Sequence, residues 1–93
     1  MFIIYRNQSA MTPLKDTWEN ADAPLRDAIL QASRLVDLQL QEEPQQQGES
    51  RDGTRRVVFQ APMAVEFEVD EQKQVVHILR AWAYRTAADR QDW

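Results

Sequence analysis

The stretch from Thr54 to Arg85, TRRVVFQAPMAVEFEVDEQKQVVHILRAWAYR, constrains the fold more than any other part of the chain. It reads as three strands in succession. Val65, Phe67 and Val69 alternate with Glu66 and Glu68, the period of two expected of a pleated ribbon with one buried face. Ahead of it, Arg55 to Gln60 has the β-branched and aromatic content of a strand, and Pro62 excludes a regular ladder across the connection. Behind it, Asp70 to Lys73 is a polar turn of hairpin length, and Gln74 to Trp82 forms a last strand that is apolar on nearly both faces. Strands joined by such short turns run antiparallel, so the expectation is a three-stranded meander.

The residues before Gly48 read mainly as helices that cover this sheet. Phe2 to Arg6 has the composition of a short first strand, with Asn7, Gln8 and Ser9 as its exit. Thr12 followed by Pro13 is a favourable helix start, which places Leu14 and Trp18 on one face of a short helix. Asn20, Asp22 and Pro24 predict a break and restart near residues 20–23. Leu25, Ala28, Ile29, Ala32, Leu35, Val36 and Leu40 then follow a 3.6-residue period, which predicts a helix over residues 24–41. Leu30 and Leu38 fall off that stripe; packing on the first helix is favoured over a partner-binding surface. Glu42-Glu43-Pro44 ends the helix, and QQQGESRDG, which holds both glycines of the chain, reads as a loop.

Ninety-three residues suffice for one domain with a single core. With no cysteine, stability must come from packing, which is compatible with a reducing cytoplasm. Arg6 interrupts the apolar N-terminus, so no signal peptide is expected, and no apolar run is long enough to cross a bilayer. The net charge of −4 argues against gripping nucleic acid through bulk electrostatics. The charge is uneven, however. Residues 1–50 carry four basic and eight acidic groups, whereas residues 51–93 carry seven of each, six of the cations being arginines. Arginine offers a planar fork suited to phosphate or carboxylate.

Candidate chemistry lies in the same half. Glu66 and Glu68 project from one side of a strand, about 6–7 Å apart by strand rise, which would suit an acid and base pair. Pairing with Arg55, Arg56 and Arg80 across the strands is the favoured reading. His77 is the only histidine, so a histidine-rich metal site is excluded and the side chain reads as structural or semi-exposed. No nucleophile motif, phosphate-binding glycine loop or metal-ligand spacing is present.

The order strand, two helices, antiparallel meander resembles the RelE/ParE superfamily of toxins from bacterial type II toxin–antitoxin systems. The likeness runs from Phe2 to Arg85. It is carried by RLVDLQLQEEP followed by GESR, by MAVEFEVDEQKQVVHILRAWAYR, and by the closing ILRAW ahead of Arg85. It implies one α+β domain over residues 1–93, with the helices packed on one face of the sheet. It also implies a cytoplasmic toxin-like component, neutralised by an antitoxin and directed at the ribosome and its mRNA or at a topoisomerase, with no cofactor, metal or membrane partner. RelE-type members cleave messenger RNA in the ribosomal A site, using basic residues and a late tyrosine on the concave sheet face. Such cleavage needs a group that takes the 2′-hydroxyl proton, a cation near the phosphate and a donor for the leaving oxygen. Here Arg56, Arg80 and Arg85 are the candidate cations, with Tyr84 or His77 as proton relay. The arginine usual near the start of the third strand is Ala64 in this chain, and the histidine that ParE-type members carry after the last strand is Ala83. A binding-only or non-toxic relative therefore stands as the alternative.

Overall fold

The computed structural model describes residues 1–84. Its elements are β1 (Ile3–Tyr5), α1 (Gln8–Glu19), α2 (Ala23–Glu42), a 3-10 turn (Pro44–Gln46), β2 (Glu49–Asp52), β3 (Arg55–Gln60), β4 (Met63–Asp70) and β5 (Val75–Ala83). They form one five-stranded sheet in the order β1-β5-β4-β3-β2. β2 to β5 are an antiparallel meander, and β1 closes the other edge by pairing parallel to β5, with Ile3 opposite Val75 and Tyr5 opposite His77. The architecture is α+β, as the strand alternation and helical period predict, and the meander has four strands instead of three. The extra strand is β2, drawn from the stretch expected to be a loop. Its residues are polar and exposed, so no alternation of apolar side chains marks it. A hairpin turn through Gly53, at φ 56°, holds it to β3.

Both helices lie on one face of the sheet, and the core is where they meet it. Ala10 and Leu14 of α1 join Ile29, Ala32, Val36 and Leu40 of α2 and the sheet residues Val58, Met63, Val65, Phe67, Val76, Ile78 and Ala81. Phe67, Leu40 and Val76 are fully enclosed. α1 begins at Gln8, upstream of the expected Thr12–Pro13 start, because the Asn7 side chain accepts a hydrogen bond from the Ala10 amide at 2.8 Å and caps it there. Pro13 sits in the second turn, where its missing amide would have bonded the carbonyl of the exposed Ser9. Asp22 caps α2 through the Leu25 amide, in agreement with the predicted restart.

The apolar stripe of α2 is narrower than its sequence period suggests. Leu35 is exposed, and Leu30 and Leu38, at 46% and 58% exposure, stand at the surface and outside the core. Trp18 is also peripheral. Arg26 crosses its ring at 4.7 Å while donating to the Trp18 and Glu19 carbonyls, which fastens the end of α1 to the start of α2. Among the described residues no helix is long and apolar enough to cross a membrane.

Candidate nucleic-acid interface

With the helices on one face, no second layer among the described residues covers the other face of the sheet, and alternation along each strand decides what stands on it. Along β4 the open face carries Ala64, Glu66 and Glu68, while Val65 and Phe67 enter the core, as the sequence pattern predicts. β3 places Arg55, Val57 and Phe59 on the open face, opposite Glu68, Glu66 and Ala64. β5 is less regular. The ladder steps from Phe67 opposite Ile78 to Glu66 opposite Arg80, so Leu79 is an extra residue in a β-bulge. The bulge resets the phase of alternation: Val76, Ile78 and Ala81 face the helices, and His77, Arg80 and Trp82 face outward. This is why the strand reads from sequence as apolar on nearly both faces.

Three transverse rows result. At one end Phe59, Ala64 and Trp82 lie side by side, with Tyr84 just beyond. Phe59 meets the Trp82 ring edge-on at a centroid distance of 6.5 Å and the Tyr84 ring at 5.9 Å, and together they cover Ala64 and Val57. In the middle row Arg80 is opposite Glu66, and its guanidinium carbon lies 5.1 Å from the Trp82 ring centre. A shallow groove of about 220 Å³ runs here, lined by Arg51, Arg55, Val57, Glu66, Arg80 and Trp82. In the third row Tyr5, His77, Glu68, Arg55 and Asp52 occupy matched positions on all five strands. Tyr5 stacks on His77 at 5.8 Å, and Arg55 pairs with Asp52 at 3.5 Å.

Of the residues singled out in the sequence, the structure places Arg80, His77 and Tyr84 on the open face, Arg80 over Trp82 and Tyr84 against Phe59. Arg56 stands on the opposite face, in register with Phe67. Its guanidinium donates to the Gln47 carbonyl at 2.8 Å and the Gly48 carbonyl at 3.0 Å, which ties the entry to β2 onto β3. Arg85 lies outside the described residues. Arg51 and Arg55, absent from the sequence-based set, join Arg80 in the groove. Arg51 was hidden by its place in a segment read as loop, and the facing of Arg55 against Arg56 follows only from the β3–β4 register. Glu66 and Glu68 face outward, and among the described residues Arg55 pairs with Asp52. Among the described residues no group of three or more potential metal ligands occurs.

No protein-family model matches the chain, and no curated protein matches it in sequence. Solved structures do match it in shape. The RelBE2 toxin–antitoxin complex of Mycobacterium tuberculosis is 12% identical with a TM-score of 0.63, over 88% of this chain and 90% of that one. The isolated E. coli RelE toxin is 10% identical with a TM-score of 0.62, over 99% and 94%. An arginine-to-alanine double mutant of E. coli RelE, in complex with an antitoxin RelBc peptide, is 12% identical with a TM-score of 0.55, over 98% and 92%. At such identities the likeness is one of backbone architecture, and on that basis this chain has the RelE-like toxin fold.

Proposed function

We propose that the chain is the toxin-like component of a toxin–antitoxin pair, neutralised by an antitoxin, and that its open sheet face engages single-stranded RNA for ribosome-dependent cleavage. The observation that carries this reading is the groove in which Arg51, Arg55 and Arg80 converge beside Trp82. Guanidinium groups next to aromatic rings are the pairing that single-stranded nucleic acid requires, phosphates meeting the cations and bases the ring faces or edges. The local arrangement also answers the objection from net charge. The cations are concentrated in one groove, and the acidic excess lies in the first half of the chain. The likeness to RelE toxins, solved alone and with antitoxin, supports the antitoxin partner.

A binding-only reading is favoured by one feature. Ala64, where the resemblance implies an arginine, is fully buried beneath aromatic rings, so no cation can act from that position. The same face would then bind and block a target such as a topoisomerase, without cutting RNA. Inducible expression in a bacterial host, followed by growth and by mapping of messenger RNA ends on ribosomes, separates the two. Growth arrest with new codon-positioned ends is expected; arrest without new ends would favour blocking, and no arrest would remove toxicity altogether.

A further inference from the structure

The surface of α2 turned away from the sheet carries apolar side chains in an ordered row. Leu30, Arg34, Leu38 and Glu42 succeed one another at a spacing of four, which lines them up as one ridge on the helix. Leu35 stands beside Leu38, three positions away. The three leucines are between 46% and 58% exposed, Leu38 the most. Among the described residues, the side chains of Arg34 and Glu42 have no hydrogen bond or ion pair. Asp37, the acid nearest Arg34 in sequence, is held by Arg6 at 2.8 Å, and Arg26 is held by the Trp18 and Glu19 carbonyls. Arg34 and Glu42 themselves stand about 12 Å apart along the helix, too far to pair within one chain.

A ridge that runs cation, leucine, anion is complementary to itself when reversed. An antiparallel second copy of α2, related by a two-fold axis through Leu38, sets Leu38 on Leu38 and brings each Arg34 to Glu42 of the other copy. We infer that this outward face of α2 is a self-association surface whose occupant is a second copy of the chain. One symmetric contact covers the most exposed leucine of the helix and pairs both unpartnered charges, with Leu35 closing the side. A partner of uniform charge would satisfy one of the two and oppose the other. α2 is about 30 Å long, so its single face falls short of the roughly 800 Å² per partner of a stable interface. The dimer is therefore a weak one that forms with rising concentration. Because both helices lie on one side of the sheet, the pair keeps both open sheet faces on its outside, and the inference is independent of what those faces bind.

Sedimentation equilibrium of the full chain, from low-micromolar to near-millimolar concentration, tests this with Arg34→Glu, Glu42→Arg, their combination, and Leu38→Glu. The wild type should pass from monomer to dimer over that range. Each single charge reversal replaces two attractive contacts by two repulsive ones and should raise the dissociation constant about tenfold or more. Leu38→Glu sets two carboxylates on the axis and should abolish the dimer. Combining Arg34→Glu with Glu42→Arg reverses the ridge and preserves its complementarity, so association should return to the wild-type value. All three positions are exposed, so melting temperatures at monomer concentrations should match the wild type, which separates lost association from lost folding. A wild type that is monomeric at every concentration would overturn the inference and leave the leucines to a partner of different sequence. A dimer that survives both Arg34→Glu and Leu38→Glu, or a combined variant as weak as either single reversal, would overturn it as well.

Discussion

Phe67 has no exposed surface, whereas Glu66 beside it projects from the other face of β4. Removal of the ring in Phe67→Ala should destabilise the protein by about 3–5 kcal/mol, against less than about 1 kcal/mol for Glu66→Ala, as read by chemical denaturation. Equal effects would mean that the facing of β4 is wrong. That facing was legible in the sequence because apolar and acidic residues alternate along the strand. Arg55 and Arg56 offer no such contrast. Two adjacent arginines must face opposite ways in a strand, and only pairing with Glu68 and Phe67 decides which one reaches the groove. Arg56 is accordingly a fastening for the Gln47 and Gly48 carbonyls, and Arg56→Ala should cost about 1–3 kcal/mol of stability without lowering RNA affinity. A loss of RNA affinity at unchanged stability would place its side chain on the wrong face.

At the level of elements, α2 and the strands of the meander that carry a buried stripe were legible, and β2, which has none, was not. α2 announces itself through Ile29, Ala32, Val36 and Leu40, all of which are buried. β2 buries nothing and is held by its hairpin with β3. The start of α1 was misplaced because two competent caps compete, and Asn7 caps the longer helix. The bulge at Leu79 was invisible because it is defined by the partner strand. Its consequence is testable. Deleting Leu79 leaves Ile78 opposite Phe67 and Arg80 opposite Glu66, so every side chain keeps its face and the variant should still unfold cooperatively. Deleting Ala81 instead would drive Arg80 into the helix-facing core, and that variant should fail to fold. The reverse outcome in thermal melts followed by circular dichroism would contradict the β4–β5 register.

For the whole molecule, one covered and one open sheet face follow from placing both helices on the same side. The layer order was legible from element order and apolar pattern. The placement of the candidate residues was legible in part: Arg80 and Tyr84, named from the sequence, stand on the open face, whereas the groove with Arg51 and Arg55 and the row through His77 and Glu68 exist only once five strands are in register. The central claim is that this open face is the working surface, and it is tested most directly by removing charge from one face at a time. Inducible expression of wild type, of the combined Arg51→Ala, Arg55→Ala and Arg80→Ala variant, and of Arg34→Ala, an exposed cation on α2, should be compared for growth and for messenger RNA ends at matched protein levels. Arrest and cleavage that vanish in the groove variant and persist in Arg34→Ala are expected; a groove variant as toxic as the wild type would contradict the account.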